Sequence, residues 1–159
     1  ARNDGPTLIA LSRQNLPVID RSGTSSAKEL FMGGYIIHDY DTHDVVILST
    51  GSEVHLAITA AKNLFTDNGI KARVVSLPCW ELFDNQDESY RKRILGEGNK
   101  RVVIEAGIKA GWEKYAGEKA LYITVDRFGC SASEQDIAGY FGYKPEIIKD
   151  SILKYVKSS

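Results

Sequence analysis

The sequence predicts an α/β fold, a mostly parallel sheet with helices on both faces. Two observations lead to this prediction. Short runs rich in β-branched residues alternate along the chain with segments of helical periodicity. In addition, the run at residues 45–49 is apolar almost throughout, as expected for a strand that is covered on both faces. Alternation of this kind predicts parallel strands joined by helical crossovers.

The first apolar run, at residues 7–11, predicts a buried strand that ends before Pro17. A polar stretch rich in Gly and Ser follows at residues 18–28 and predicts a linker. We therefore expect residues 1–17 to be the tail of one domain and residues 29–159 to form the next one.

Beyond the linker, strands and helices alternate. Strands are predicted at residues 34–38, 45–49, 72–77, 101–105 and 121–125, and helices at 54–65, 86–95, 111–116, 133–142 and from 145 onward. A brief turn joins the first two strands, so the first is expected to pair antiparallel at an edge. Gly69 and Gly142 are placed to end helices, and Pro145 to begin one.

Composition excludes several classes of function. Lys and Arg total 20 against 21 Asp and Glu, a net charge of -1, and no basic run suggests nucleic acid or an anionic membrane. No apolar stretch has the length of a membrane span. Cys79 and Cys130 form neither a disulfide framework nor a metal-type spacing, which favours a reducing compartment. The start at Ala1 and the single methionine, Met32, predict a piece of a longer polypeptide.

Several strings occur in an order and at spacings typical of one family. They are Leu-Ser-Arg-Gln-Asn-Leu-Pro at 11–17, Ser-Thr-Gly-Ser-Glu-Val at 49–54, Ala-Arg-Val-Val-Ser-Leu-Pro at 72–78, Trp-Glu-Leu-Phe-Asp at 80–84, Glu-Ala-Gly at 105–107, Gly-Trp-Glu-Lys-Tyr at 111–115 and Asp-Arg-Phe-Gly at 126–129. Each string alone is weak evidence. Together they resemble transketolases across essentially the whole chain, and the strings at 11–17 and 80–84 look less like the related 1-deoxyxylulose-5-phosphate synthases.

The resemblance implies an architecture and an activity. Residues 1–17 would be the last strand of a pyrimidine-binding domain, and residues 29–159 a carboxy-terminal domain of three α/β/α layers around a five-stranded, mostly parallel sheet with one antiparallel edge strand. The family transfers a two-carbon ketol unit from a ketose phosphate to an aldose phosphate. It uses thiamine diphosphate and a divalent metal (Mg or Ca), bound by upstream domains across a homodimer interface. No cofactor or metal is expected in this segment.

Arg13 is the one residue that the resemblance makes functional. The arginine of the family's Ser-Arg-Gln string binds the phosphate of the sugar substrate, whereas no catalytic residue is implied in this segment. The chemistry suits the role, because a guanidinium offers paired planar donors that match phosphate oxygens and stays charged at any working pH. Ser12, Gln14 and Asn15 are interpreted as turn formers.

Other polar residues favour structural interpretations. Thr50 and Glu53 have capping-box spacing, which we prefer to an anion site because Glu53 would repel an anion. His38, His43 and His55 lack the spacing of metal ligands and are expected to be solvent-facing or half-buried. Cys79 is expected to be a packed thiol, and Trp112 and Tyr115 to be packing residues. Asp126 and Arg127 would form a local ion pair or contact a neighbouring domain.

These observations lead to two hypotheses of different class. In the first, the parent protein is a transketolase of the pentose phosphate or Calvin pathway, cytoplasmic or plastid, and this segment is inactive alone. In the second, the chain is a non-catalytic binding or assembly module, or one subunit of a split thiamine-diphosphate enzyme. No upstream segment is expected if the chain is a stand-alone module.

Overall fold

One five-stranded sheet organises the chain in a computed structural model that describes residues 5–12, 14–21, 24–98 and 100–158. The strands are β1 (Tyr35–His38), β2 (Val45–Ser49), β3 (Ala72–Ser76), β4 (Lys100–Ile104) and β5 (Leu121–Ile123), in the spatial order β1-β3-β2-β4-β5. Strand β1 runs antiparallel to β3, and all other pairs are parallel. The predicted mostly parallel sheet with an antiparallel edge strand is confirmed.

Six α-helices accompany the sheet within the described residues. They are α1 (Glu53–Asn68), α2 (Trp80–Asp84), α3 (Glu88–Leu95), α4 (Glu113–Ala116), α5 (Glu134–Phe141) and α6 (Pro145–Lys157), and a 3-10 helix at Ala27–Met32 precedes β1. None of the helices in these described stretches is both long and apolar enough to cross a membrane.

The central strand β2 shows why the sheet is covered on both faces. All five of its residues are buried. Val45 and Ile47 point into a core shared with α1, α5 and α6, whereas Val46 and Leu48 point into a second core shared with α2, α3 and α4. Because successive strand side chains alternate between faces, a strand with a helical layer on each side must be apolar at nearly every position.

Helix ends follow the predicted signals. Helix α1 ends at Gly69, which has φ 70° and donates its N–H to the carbonyl of Phe65. Ser133 accepts the N–H of Asp136 at the start of α5, and Gly142 ends that helix in the left-handed conformation. Pro145 occupies the first turn of α6.

The predicted buried strand at residues 7–11 does not form in the described chain. The segment has no regular secondary structure, and Leu8 and Leu11 are 94% and 86% exposed. A strand needs a hydrogen-bonded neighbour, and none of the five strands in the described part of the chain pairs with this run. The boundary between residues 1–17 and 29–159 stays a prediction, and the 3-10 helix begins inside the predicted linker, at Ala27.

Candidate functional site at the carboxyl edge of the sheet

The order of the strands creates a crevice between β2 and β4. The chain leaves β2 toward α1, which packs on one face of the sheet, and leaves β4 toward α4, which packs on the other face. The carboxyl ends of these two neighbouring parallel strands therefore part at a topological switch point. Open α/β sheets bind their ligands in the crevice at this position.

Two glutamates and a tyrosine surround the crevice. Glu53 begins α1, shortly after β2, and Glu105 directly follows β4. The hydroxyl of Tyr143 donates toward the backbone carbonyls of Glu105 and Ile123, the latter at 3.0 Å. These two acceptors lie at the carboxyl ends of β4 and β5, so Tyr143 fixes both loops relative to the end of α5 and the start of α6.

The predicted capping box between Thr50 and Glu53 is wrong. Helix α1 begins at Glu53, its N-cap is Ser52, and no side chain caps the helix by a hydrogen bond. Ser52 has helical φ and ψ angles, and its hydroxyl donates to the Glu53 carboxylate at 2.6 Å instead of accepting a backbone N–H. Glu53 is consequently free of the capping role and faces the crevice.

Glu105 has an unusual protonation equilibrium. Burial, and then the nearby Glu53 carboxylate, raise the pKa of Glu105 to about 7, while the Gly107 N–H opposes the shift by donating to it. Burial also raises the pKa of Tyr143, with Glu53 and Glu105 adding to the effect. At neutral pH, the crevice thus holds a carboxyl group that can be either neutral or charged.

This shift predicts a pH-dependent stability. The pKa of Glu105 is higher in the folded than in the unfolded chain. The stabilisation of the fold by Glu105 is therefore fully present below the unfolded pKa and is lost as the pH rises through about 7. With allowance for its partial exposure, we expect the free energy of unfolding to fall by about 1–2 kcal/mol from this group. Urea unfolding at pH 5 and pH 8 would measure the loss, which Glu105→Gln should remove.

The comparison between wild type and Glu105→Gln isolates this effect. Burial lowers the pKa of His38, so His38 contributes in the opposite sense over an overlapping pH range, but it does so equally in both proteins. An equal change from pH 5 to pH 8 in wild type and variant would show that Glu105 does not control the dependence.

Two cavities open at this edge. A groove of about 860 Å³ is lined by residues from the start of α1, the loops after β4 and β5, and α5, together with Gln14. We call it the switch-point groove; its polar lining includes Ser52, Glu53 and Glu134, and its apolar lining includes Leu56, Ile137 and Phe141. A smaller cavity of about 370 Å³, lined by Thr50, Trp80 and Glu105 among others, lies on the opposite face of the crevice.

The predicted site residue Arg13 lies outside the described residues. Its neighbours form a local turn, in which the Gln14 N–H donates to the Ser12 hydroxyl oxygen at 3.0 Å, in agreement with their interpretation as turn formers. The Gln14 amide also donates to Glu134 at 3.1 Å. Gln14 therefore contacts the rim of the switch-point groove.

The remaining sequence candidates are structural. His38, His43 and His55 are each partly buried, as predicted, and the described residues contain no group of three or more His, Cys, Asp or Glu side chains that could hold a metal ion. Trp112 and Tyr115 are buried in the second core, which confirms their packing role.

The structure also shows the surroundings of Cys79 and of the neighbouring residues Asp126 and Arg127. The thiol of Cys79 is partly buried, with Sγ 3.5 Å from a Glu81 carboxylate oxygen. Of the two alternatives for Asp126 and Arg127, the local ion pair does not form, and contact with a neighbouring domain stays a prediction. Asp126 instead accepts the Lys109 N–H at 2.9 Å, and the Arg127 guanidinium lies over the rings of Tyr140 and Phe141.

The fold and the crevice define an open-sheet α/β domain of the kind that binds ligands at its carboxyl edge. The family model described as the transketolase-like TK C-terminal domain matches residues 33–144. The chain is 42% identical to the transketolase of Aquifex aeolicus over 155 residues, 96% of this chain and 22% of that protein. The chain therefore belongs to the transketolase family.

Other relatives agree. Transketolase 1 of Saccharomyces cerevisiae is 39% identical over 151 residues, which cover 95% of this chain and 21% of the yeast protein. The crystal structure of the Pichia stipitis transketolase complex with sedoheptulose-7-phosphate superposes with a TM-score of 0.82 at 37% identity, over 91% of this chain and 20% of that one. The chain thus spans about a fifth of the length of the relatives it matches.

The arrangement of Glu53, Glu105 and Tyr143 was not predicted from the sequence. Glu53 lies shortly after one predicted strand and Glu105 is the last residue of another, which is the available local signal. Their proximity, however, depends on β4 lying beside β2, a consequence of the strand order. Tyr143 lies between two predicted helices, and nothing in its local sequence indicates that it reaches the ends of β4 and β5.

Proposed function

We propose that this chain is the carboxy-terminal part of a transketolase that transfers a two-carbon ketol unit from a ketose phosphate to an aldose phosphate. The observation that carries the proposal is the similarity to transketolases over 96% of the chain, at 42% identity. The segment would supply one ligand for the substrate phosphate and a structural domain.

The exposed apolar segment before the 3-10 helix supports a role within a larger assembly. Leu8, Leu11 and Val18 are at least 86% exposed, although each is large and apolar. Apolar side chains clustered in one extended segment favour burial against another surface. We infer that residues 7–11 complete the sheet of an upstream pyrimidine-binding domain, where the missing strand neighbour would be found.

Thiamine diphosphate and the divalent metal would be bound by the upstream domains, across a homodimer interface. The described residues have no cluster of three or more potential metal ligands among His, Cys, Asp and Glu, so this chain's own described side chains do not fit that metal. The contribution of this segment is to orient the substrate, and a cytoplasmic or plastid setting would suit the family's metabolism.

Arg13 would hold the substrate phosphate. Anchoring a remote phosphate uses binding energy to place the reacting end of the ketose, and the benefit can appear in turnover as well as affinity. The relatives give the proposal its chemistry, since solved Pichia stipitis transketolases contain xylulose-5-phosphate and sedoheptulose-7-phosphate. A guanidinium suits this ligand better than an ammonium does because it binds two phosphate oxygens at once.

Substitution of Arg13 tests this role. In a polypeptide that includes the upstream domains, Arg13→Ala should lower kcat/KM for a ketose phosphate on the order of 100-fold, since two hydrogen bonds to a charged group are lost. Steady-state kinetics would measure the change, with Arg13→Lys expected to retain part of the activity. The same ketose without its phosphate provides the control, because the variant should process it as the unsubstituted enzyme does. An equal loss with both substrates would contradict phosphate binding.

Inactivity of the segment alone has a direct test. The purified 159-residue chain with thiamine diphosphate and Mg²⁺ should show no ketol transfer above the buffer rate. Transfer by the chain alone would contradict the proposal. Activity that appears only when separately produced upstream domains are added would identify the segment as a subunit able to work in a split enzyme.

A binding or assembly module is the second candidate function. The specific observation in its favour is the switch-point groove, which lies in the ligand-binding position of α/β sheets. This candidate would be favoured if upstream domains did not restore ketol transfer while the groove still bound a ligand.

A further inference from the structure

The switch-point groove has a built ligand-binding geometry. The amino end of α1 forms one wall, the loops after β4 and β5 form the base, and α5 forms the opposite wall. Leu56, Val125, Ile137 and Phe141 line it and are only partly buried, so apolar surface remains open to a ligand. A groove of about 860 Å³ is within the size range of small-molecule sites.

The described lining of the groove carries two carboxylates and one imidazole, that of His55. Glu53 and Glu134 line it, Glu105 lies close enough to Glu53 for their charges to interact, and no Lys or Arg side chain is among the described residues that line it. An anionic ligand would be repelled here, despite the partial positive charge at the start of α1. A positively charged ligand would be attracted toward Glu53 and Glu134.

Glu53 is a buried carboxylate that has no counter-ion among residues 5–12, 14–21, 24–98 and 100–158. It is 9% exposed, and its one hydrogen bond in the described part of the chain comes from the Ser52 hydroxyl, at 2.6 Å. No Lys, Arg or His nitrogen in that part of the chain forms an ion pair with it, and Glu53 lines the groove. Carboxylates this buried are normally paired, because an uncompensated charge in the interior is costly.

The surroundings of Glu53 favour an organic cation over a metal ion. Metal sites for hard cations need several oxygen ligands around one point, and the described residues offer no group of three or more His, Cys, Asp or Glu side chains of that kind. The apolar walls would instead contact a hydrocarbon stem while its charged end meets Glu53, as in the burial of Lys and Arg stems at protein surfaces.

We propose that the switch-point groove binds an ammonium or guanidinium group carried on an apolar stem, with Glu53 as its counter-ion and Glu134 at the rim. The cation can belong to a small amine or to a Lys or Arg side chain of another polypeptide segment. The inference rests on the groove alone and holds whether or not the segment works within a transketolase.

Titration of the 159-residue chain with n-butylammonium chloride, followed by ¹H–¹⁵N NMR, tests the proposal. The amides of Ser52, Ala106 and Tyr143 should shift in a saturable manner. n-Butanol, which has the stem without the charge, and potassium chloride at equal ionic strength should cause no saturable shift there. Equal shifts with either control, or no shift with n-butylammonium, would overturn the proposal.

Substitutions locate the counter-ion. Glu53→Gln keeps the shape of the side chain and removes its charge, and should weaken n-butylammonium binding at least tenfold. The matched control is Glu118→Gln, an exposed glutamate outside the groove lining, which should leave the affinity within twofold. Unchanged affinity in Glu53→Gln, or equal weakening in both variants, would rule out Glu53 as the counter-ion.

A measurement on the wild-type chain covers the case in which Glu53→Gln does not fold. A cation bound at Glu53 should reduce the repulsion between Glu53 and Glu105 and so stabilise the charged form of Glu105. Saturating n-butylammonium should therefore lower the titration midpoint of Glu105, observed by ¹³C NMR of the side-chain carboxyl group. A midpoint that stays the same with bound n-butylammonium would contradict binding at this position.

The two possible sources of the cation are distinguished with Nα-acetyl-lysine methylamide. Binding at least tenfold tighter than that of n-butylammonium would assign the groove to a side chain of a polypeptide, since the flanking amides would then contribute. Equal or weaker binding would assign it to a small amine. Either result supports the cation site, and failure of both probes to bind overturns it.

Discussion

Replacing Gly33 by alanine should lower the free energy of unfolding by about 4 kcal/mol. Gly33 has φ 81°, and a Cβ atom there would lie 2.3 Å from the backbone nitrogen of Phe83 and 2.4 Å from the carbonyl oxygen of Cys79. Backbone atoms of a packed helix cannot move aside as a flexible side chain can. The left-handed conformation and the clash therefore add, and urea unfolding would measure their sum.

Gly69→Ala is the matched control for this prediction. Gly69 has φ 70°, close to that of Gly33, but a Cβ atom there would meet nothing within 4 Å. Gly69→Ala should lower the free energy of unfolding only by the cost of the left-handed backbone conformation, about 1–2 kcal/mol. Similar losses in the two variants would mean that the close approach of Gly33 to α2 does not constrain the fold.

Phe83→Ala should lower the free energy of unfolding by about 3–5 kcal/mol. The Phe83 side chain is fully buried in the second core, with ring centroids 6.3 Å from Tyr90 and 5.9 Å from Tyr115. Truncation removes apolar burial and leaves a cavity that these rings, held by their own hydrogen bonds, cannot fill. Equilibrium unfolding in urea gives the loss directly.

Phe31→Ala provides the comparison for Phe83. Phe31 is 73% exposed in the 3-10 helix, so its removal should change the free energy of unfolding by no more than about 0.5 kcal/mol. If the two phenylalanines proved equally important, the second core would not have the packing described for it.

The architecture was predictable because local signals and burial agree along most of the chain. In β2, apolar residues at every position indicate two covered faces, and Gly69, Gly142 and Pro145 mark helix ends by their own backbone preferences. These signals need no knowledge of distant neighbours. The short helix α2 was missed because five residues that follow a proline give too little periodicity to distinguish a helix from a turn.

The errors arose where the outcome depends on distant contacts. Residues 7–11 have the composition of a strand, yet a strand forms only beside a partner, and the described chain provides none. The Thr50–Glu53 spacing suits a capping box, but Ser52 takes a helical conformation and donates its hydroxyl to Glu53. The candidate cation site depends on this Ser52 conformation and on the adjacency of β2 and β4. Neither can be predicted from the local sequence.

The division of the interior by the sheet has a consequence for evolution and engineering. Residues such as Ile152 in the first core and Phe83 in the second are separated by the full thickness of a backbone layer, and they share no side-chain neighbours in these two clusters. Effects of substitutions at such separated positions usually add. Each layer can therefore accumulate changes independently, so that one face can adapt to a new partner while the other retains its packing.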